Sequence, residues 1–118
     1  MPGQRIMLWS NAGHPPPLLL DPAGSVRLLA TRPEPLLGLT VGVDRSNHTI
    51  GLEPGSTVVF YTDGLTDAHS STPGIGIEQL VTAVSKLGGL SPEQLCDHVF
   101  GQLENVGADD MALAVVRV

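Results

Sequence analysis

A chain of 118 residues sets the scale of one small domain or part of a larger one. Twelve acidic residues stand against six basic ones, a net charge of −6, so no basic stripe can neutralise phosphates and nucleic acid is excluded as a partner. Apolar residues make up 42% and charged residues 15%, which excludes a disordered chain, and the longest apolar runs are far too short to span a membrane. Cys96 is the only cysteine, so no internal disulfide forms and a reducing compartment fits. Residues 1–8 lack the basic start and long apolar stretch of a signal peptide. The expectation is a soluble, cytoplasmic protein with no nucleic acid and no membrane among its partners.

The chain opens on a short apolar strand at residues 5–10, ended by the turn signal Asn11-Ala12-Gly13. Pro15-Pro16-Pro17 must be extended, because each ring fixes φ and removes a donor. Residues 18–20 and 26–30 flank Asp21-Pro22-Ala23-Gly24-Ser25 and predict a hairpin. Residues 31–38 form a proline-rich loop. Residues 47–52 and 57–62 flank Glu53-Pro54-Gly55-Ser56, where proline then glycine suit the centre of a type II turn, and predict a second hairpin. Val58, Val59, Phe60 and Tyr61 are apolar without alternation, as in a strand covered on both faces.

The period then changes. Ile77, Leu80, Val81, Val84 and Leu87 fall at helical spacing, and Gly88-Gly89 stops that helix. Ser91-Pro92-Glu93-Gln94 starts another, with serine as N-cap, proline at the first position and Gln94 closing a capping box. Leu95, Val99, Phe100 and Leu103 continue its buried face, and Asn105-Val106-Gly107 breaks it. Residues 111–118 read as a last strand, apolar almost throughout and therefore central. Strands, a helix pair and a return to the sheet indicate an α+β layered fold.

Two acidic constellations carry chemistry. In Tyr61-Thr62-Asp63-Gly64-Leu65-Thr66-Asp67 a carboxylate sits where a buried strand ends, and the glycine after it permits a sharp turn and close approach of a ligand. Asp109-Asp110 precede the last strand. If the two strands are neighbours, Asp63 and Asp109 converge on one hard cation, and oxygen-only donors point to Mg²⁺ or Mn²⁺. On spacing alone, aspartates that merely terminate strands at turns explain the pattern as well. Asp67 caps a turn or faces metal-bound water. His48, His69 and His98 read as solvated surface residues, and Cys96 as a core or inert thiol. No serine has an evident histidine–acid pair for a hydrolase triad.

Three segments occur in order: Ser10-Asn11-Ala12-Gly13-His14-Pro15-Pro16-Pro17, then Glu53-Pro54-Gly55-Ser56 through Tyr61-Thr62-Asp63-Gly64-Leu65-Thr66-Asp67, then Asp109-Asp110-Met111-Ala112-Leu113. Together with Ile75-Gly76-Ile77-Glu78-Gln79-Leu80, they resemble the SpoIIE/RsbU branch of the protein phosphatase 2C-like (PPM) family over essentially the whole chain. The resemblance implies an antiparallel β-sandwich flanked by helices (αββα type), with residues 1–118 as the C-terminal portion of one phosphatase domain. It implies metal-dependent hydrolysis of phosphoserine or phosphothreonine on a regulatory protein, such as an anti-sigma-factor antagonist, through a metal-activated water. Residue by residue, it makes Asp63 and Asp109 metal ligands and puts Asp110 and Gly64 immediately behind them. Asn11, Gly13 and His14 form the motif turn, with His14 fixing the turn before the prolines rather than binding metal.

The family also carries an earlier aspartate motif that bridges two metals, and residues 1–10 contain no acid. The expectation is therefore an incomplete domain: half a Mn²⁺ or Mg²⁺ site, weak metal occupancy, little turnover by the chain alone, and apolar surface left for a homodimer. The alternative is a non-catalytic fragment or interaction module that retains the phosphatase fold. Ala112 stands where threonine is common in the family, which removes one hydroxyl from that position.

Overall fold

The structure, a computed structural model, describes residues 5–31, 34, 42, 44–62, 75–103 and 112–118. Six strands and two helices follow in the order β1 (Arg5–Trp9), β2 (Leu18–Leu20), β3 (Val26–Leu28), β4 (His48–Leu52), β5 (Thr57–Tyr61), α1 (Ile75–Ser85), α2 (Pro92–Leu103) and β6 (Leu113–Arg117). All pairings are antiparallel, in a two-stranded sheet β1-β4 and a four-stranded sheet β3-β2-β5-β6. The α+β class and the layered, helix-flanked arrangement agree with expectation.

Side-chain alternation explains the layers. Leu18 and Leu20 of β2 and Val59 and Tyr61 of β5 point to one face of the larger sheet. There they join Leu80 and Val84 of α1 and Leu95 and Val99 of α2 in one buried cluster. Leu19 and Val58 point to the opposite face and are buried with Leu29 against Met7, Trp9, Ile50 and Leu52 of the smaller sheet. β2, and β5 except at Phe60, are thus covered on both sides, which is why their sequences do not alternate.

Local chemistry sets the element ends as read. The Asp21 carboxylate accepts the Ala23 and Ser25 N–H groups at 3.0 and 2.9 Å, turning the chain from β2 into β3. Ser91 Oγ accepts the Gln94 N–H at 3.1 Å while Gln94 Oε1 accepts the Ser91 N–H at 3.0 Å, a complete capping box on α2. The Arg117 guanidinium donates to Thr57 Oγ1 at 2.9 Å and to the Leu90 carbonyl, tying β6 to β5 and to the loop between the helices.

Four expectations need correction. The second hairpin does not form. Ser56 N–H bonds the Glu53 carbonyl at 3.0 Å across a turn with Gly55 at φ 90, the expected type II turn. The strands it joins lie in different sheets, since β4 pairs with β1 and β5 with β2 and β6. A type II turn splays its flanking strands instead of matching their twist, so it serves a crossing between layers. The last strand is at the edge of the described sheet, not central, with β5 as its neighbour; only Leu113 and Val115 pack under the helices. Phe60 and Phe100, expected inside, are exposed. Phe60 shares its face with Val58, but the smaller sheet does not reach over it. Phe100 follows the buried Val99 and turns away from the seam that Leu95 and Val99 define. His48, expected free at the surface, packs its ring against Trp9 with centroids 5.3 Å apart.

Candidate functional site

The two anticipated carboxylate segments flank a single strand pair. β5 and β6 are in register from Thr57 opposite Arg117 to Tyr61 opposite Leu113. One further rung follows: Thr62 N–H donates to the Ala112 carbonyl at 3.2 Å, and the Ala112 N–H donates to the Thr62 hydroxyl at 2.9 Å. The chain leaves this rung into Asp63-Gly64 on one side and enters it from Asp109-Asp110-Met111 on the other. Asp63, Gly64, Asp109 and Asp110 themselves lie outside the described residues, as do Asp67 and His69. The hydroxyl that a threonine at position 112 would add is absent, and the hydroxyl in the rung comes from Thr62.

Strand direction brings the third motif to the same end of the sheet. β2 begins at Leu18, opposite Val59 and Leu28, so the residues before Leu18 and after Leu28 share the end at which β5 finishes. The Leu29 N–H donates to the Pro17 carbonyl at 2.9 Å and closes that end of the β2–β3 pair. The Asn11–His14 turn is built by the asparagine amide. Its Nδ2 donates to the His14 carbonyl at 2.9 Å and its Oδ1 accepts the His14 N–H at 2.8 Å. Gly13 sits at φ 80, a left-handed conformation that a side chain would resist. The expected part for His14 therefore belongs to Asn11: His14 contributes backbone to the turn and keeps its imidazole exposed.

Beside the turn opens a cavity of about 210 Å³ lined by Asn11, Gly13, His14, Pro16, Ala30, Thr31 and Glu34. Glu34, its only carboxylate among the described residues, has a side chain just 10% exposed. One oxygen accepts the Ser46 N–H at 3.1 Å, and the other is 3.8 Å from His48 Nε2. His48 Nε2 and the neighbouring Trp9 Nε1 are buried with no hydrogen-bond partner among the described residues. Sequence reasoning missed this cluster, because residues 9, 34 and 48 share no motif spacing. The one signal was Arg32-Pro33-Glu34-Pro35, a carboxylate placed between two prolines in the proline-rich loop.

Among the described residues, no three histidine, cysteine, aspartate or glutamate side chains cluster tightly enough to hold a metal, and no helix is long and apolar enough to cross a membrane. Asp63, Asp109 and Asp110, which lie outside the described residues, carry the oxygen donors that Mg²⁺ and Mn²⁺ prefer. Cys96, on α2, is half-buried, and burial followed by the neighbouring Asp97 raises its thiol above the ordinary range.

Comparison with known proteins agrees with this arrangement. The sequence model of the family described as Stage II sporulation protein E (SpoIIE) matches residues 1–118. Protein IcfG of Synechocystis is 28% identical over 115 residues, covering 90% of this chain and 17% of that protein. The RsbU and RsbW domains of Rv1364c from Mycobacterium tuberculosis superpose with a TM-score of 0.74 at 28% identity, over 98% of this chain and 32% of that one. The PP2C phosphatase domain of SpoIIE from Bacillus subtilis, solved with a fragment of its regulatory domain, gives 0.74 at 17% identity, over 95% of this chain and 33% of that one. The chain thus spans about a third of these solved chains and a smaller share of IcfG.

Proposed function

Because the chain belongs to the SpoIIE family and has the fold of a PP2C-type phosphatase domain, we propose that it forms the metal-binding end of a cytoplasmic phosphoprotein phosphatase. The observation that supports this most is the Thr62–Ala112 rung. It pairs Thr62, which precedes Asp63 in the sequence, with Ala112, three residues after Asp109, at the end of the sheet that also holds the Asn11–His14 turn. In this reading Asp63 and Asp109 hold one Mn²⁺ or Mg²⁺, and Asp110 and Gly64 shape the backbone behind them. A divalent ion bound there supplies Lewis acidity toward a phosphoryl group and toward water. The protein's part is positional. The two-hydrogen-bond rung fixes the separation of the strand ends, and the buried Val59 and Tyr61 anchor β5 against the helices. No enzyme nucleophile enters this scheme. The substrate class is a phosphoserine or phosphothreonine protein, with an anti-sigma-factor antagonist as the expected type.

Mn²⁺ binding by the 118-residue chain, followed by electron paramagnetic resonance, tests the assignment. Two carboxylates make a weak site, so binding in the high-micromolar range or weaker is expected, and Asp63→Asn or Asp109→Asn should abolish it. Unchanged binding in both variants would sink the ligand assignment. Turnover of a phosphopeptide by this chain alone is expected to be negligible. Robust hydrolysis abolished by Asp63→Ala would show that these residues need no further aspartate. An interaction module that keeps the fold without turnover predicts no Mn²⁺ binding at all.

A further inference from the structure

We infer that the cavity beside the Asn11–His14 turn is a recognition subsite for a cationic side chain of the phosphoprotein, read by the Glu34 carboxylate. The inference rests on the phosphatase reading for the identity of the ligand, but its geometry is independent of any metal.

Size is the first ground. At about 210 Å³ the cavity falls below the roughly 300–1,000 Å³ typical of sites that enclose a whole small ligand. It suits one side chain of a larger partner. Charge is the second. Among the described residues Glu34 is the only carboxylate in the wall, and none of the lining residues is a lysine or arginine. The Glu34 side chain is nine-tenths buried, yet among the described residues only one of its oxygens accepts a hydrogen bond, from the Ser46 N–H. The other stands 3.8 Å from His48 Nε2, beyond hydrogen-bond range. A largely desolvated carboxylate with unused acceptor capacity favours an incoming ammonium or guanidinium, the donors that suit it best.

Position is the third ground. The cavity lies at the β3–β2 end of the sheet, and the Thr62–Ala112 rung lies between β5 and β6 at the same end. Those two midpoints are two strand spacings apart, about 10 Å. An extended peptide rises about 3.3 Å per residue, so a side chain in the cavity belongs about three positions from a phosphoserine at the strand ends. Glu34 is thereby a specificity-determining residue that touches the partner rather than the reacting atoms. The bland alternative is that Glu34 only braces the Ser46 backbone.

The test is a titration of the 118-residue chain with two peptide series, followed by ¹⁵N NMR at pH 8. One series carries phosphoserine and the other serine, each with Lys, Ala or Glu three positions to either side. Shifts at the Gly13 and Thr31 amides and the Trp9 indole report the cavity. We expect the lysine peptides to bind at least tenfold tighter than the alanine ones in both series, and the glutamate peptides more weakly still. Glu34→Gln keeps an acceptor for Ser46 and should erase the lysine preference without changing the alanine affinity. Thr31→Lys, which fills the cavity with a cation of its own, should do the same. Equal lysine and alanine affinities, no lysine-peptide binding, or a preference that survives Glu34→Gln would overturn the subsite. Lysine preference without any gain from phosphate would uphold the subsite and count against the phosphatase reading; phosphate dependence without lysine preference would do the reverse.

Discussion

The two faces of the four-stranded sheet draw on the same strands and end up very differently protected. Toward the helices, Leu18, Leu20, Val59 and Tyr61 meet Leu80, Val84, Leu95 and Val99, all buried. Toward the two-stranded sheet, Leu19, Leu29, Leu52 and Val58 are buried, while Phe60 and Val116 on the same side remain 39% and 48% exposed. Beyond that smaller sheet, its outer face leaves Ile6 and Leu8 at 69% and 65%. Helices bring two seams of apolar side chains and close a face, whereas a two-stranded ribbon covers only the strands beneath it. The helix side is the stability reservoir, and the ribbon side is where this chain has surface to offer.

The largest test of that contrast is a pair of truncations. Leu95→Ala, at a fully buried helix position, should cost about 3–5 kcal/mol by urea denaturation, and Leu52→Ala, on the inner face of the ribbon, about 2–3 kcal/mol. Equal losses would erase the distinction between the faces. Next comes association. The exposed Ile6, Leu8, Phe60 and Val116 should drive the isolated chain to self-associate at micromolar concentration. The double variant Ile6→Ser, Leu8→Ser should weaken the dimer at least tenfold in sedimentation equilibrium; a monomeric parent chain would end that expectation. Smaller effects separate the element ends. Asn11→Ala removes both hydrogen bonds of the motif turn and should cost about 1–2 kcal/mol, with amide exchange accelerated on the ribbon side. Ser91→Ala removes the α2 cap at about 1 kcal/mol, felt on the helix side. The smallest effect is chemical. Burial, then Asp97, keeps the Cys96 thiol protonated above the ordinary cysteine range. Iodoacetamide should modify it more slowly than a free cysteine at pH 8, with the rate rising only at higher pH as thiolate forms. A rate matching free cysteine would show that α2 opens readily.

Much of this was legible in the sequence because it is local. The Ser91–Gln94 capping box, the Asp21 turn and the helical spacing of Leu80 and Val84 depend on neighbours within a few residues, and each formed as read. The three ordered motifs made the family legible as well. What failed was long-range. Pro54-Gly55 specifies a turn but not which sheet each arm joins. The apolar run of β6 specifies burial but not how many neighbours supply it. The Glu34–His48–Trp9 cluster depends on the β1–β4 pairing, which puts Trp9 opposite His48. No pattern along the chain announces that pairing. The motif that pointed to His14 was sound as a motif, yet it did not reveal that the side-chain work is done by Asn11.

The Thr62–Ala112 rung has a kinetic consequence. It joins residues 50 apart, and Thr57 and Arg117 at the far end of the same strand pair are 60 apart. The β2–β3 hairpin, by contrast, closes across the five-residue Asp21 turn. Loop closure of that length is entropically unfavourable until other contacts have formed, and non-local pairings slow folding. The order of events should therefore run from the hairpin and the two helices to the docking of β6 last. Pulse-labelled amide exchange during refolding should protect Leu18 and Val26 before Ala112. The candidate site end would then be assembled only in molecules whose helix-side core is already in place, so a kinetically trapped or misdocked chain would present no paired carboxylate segments to a cation.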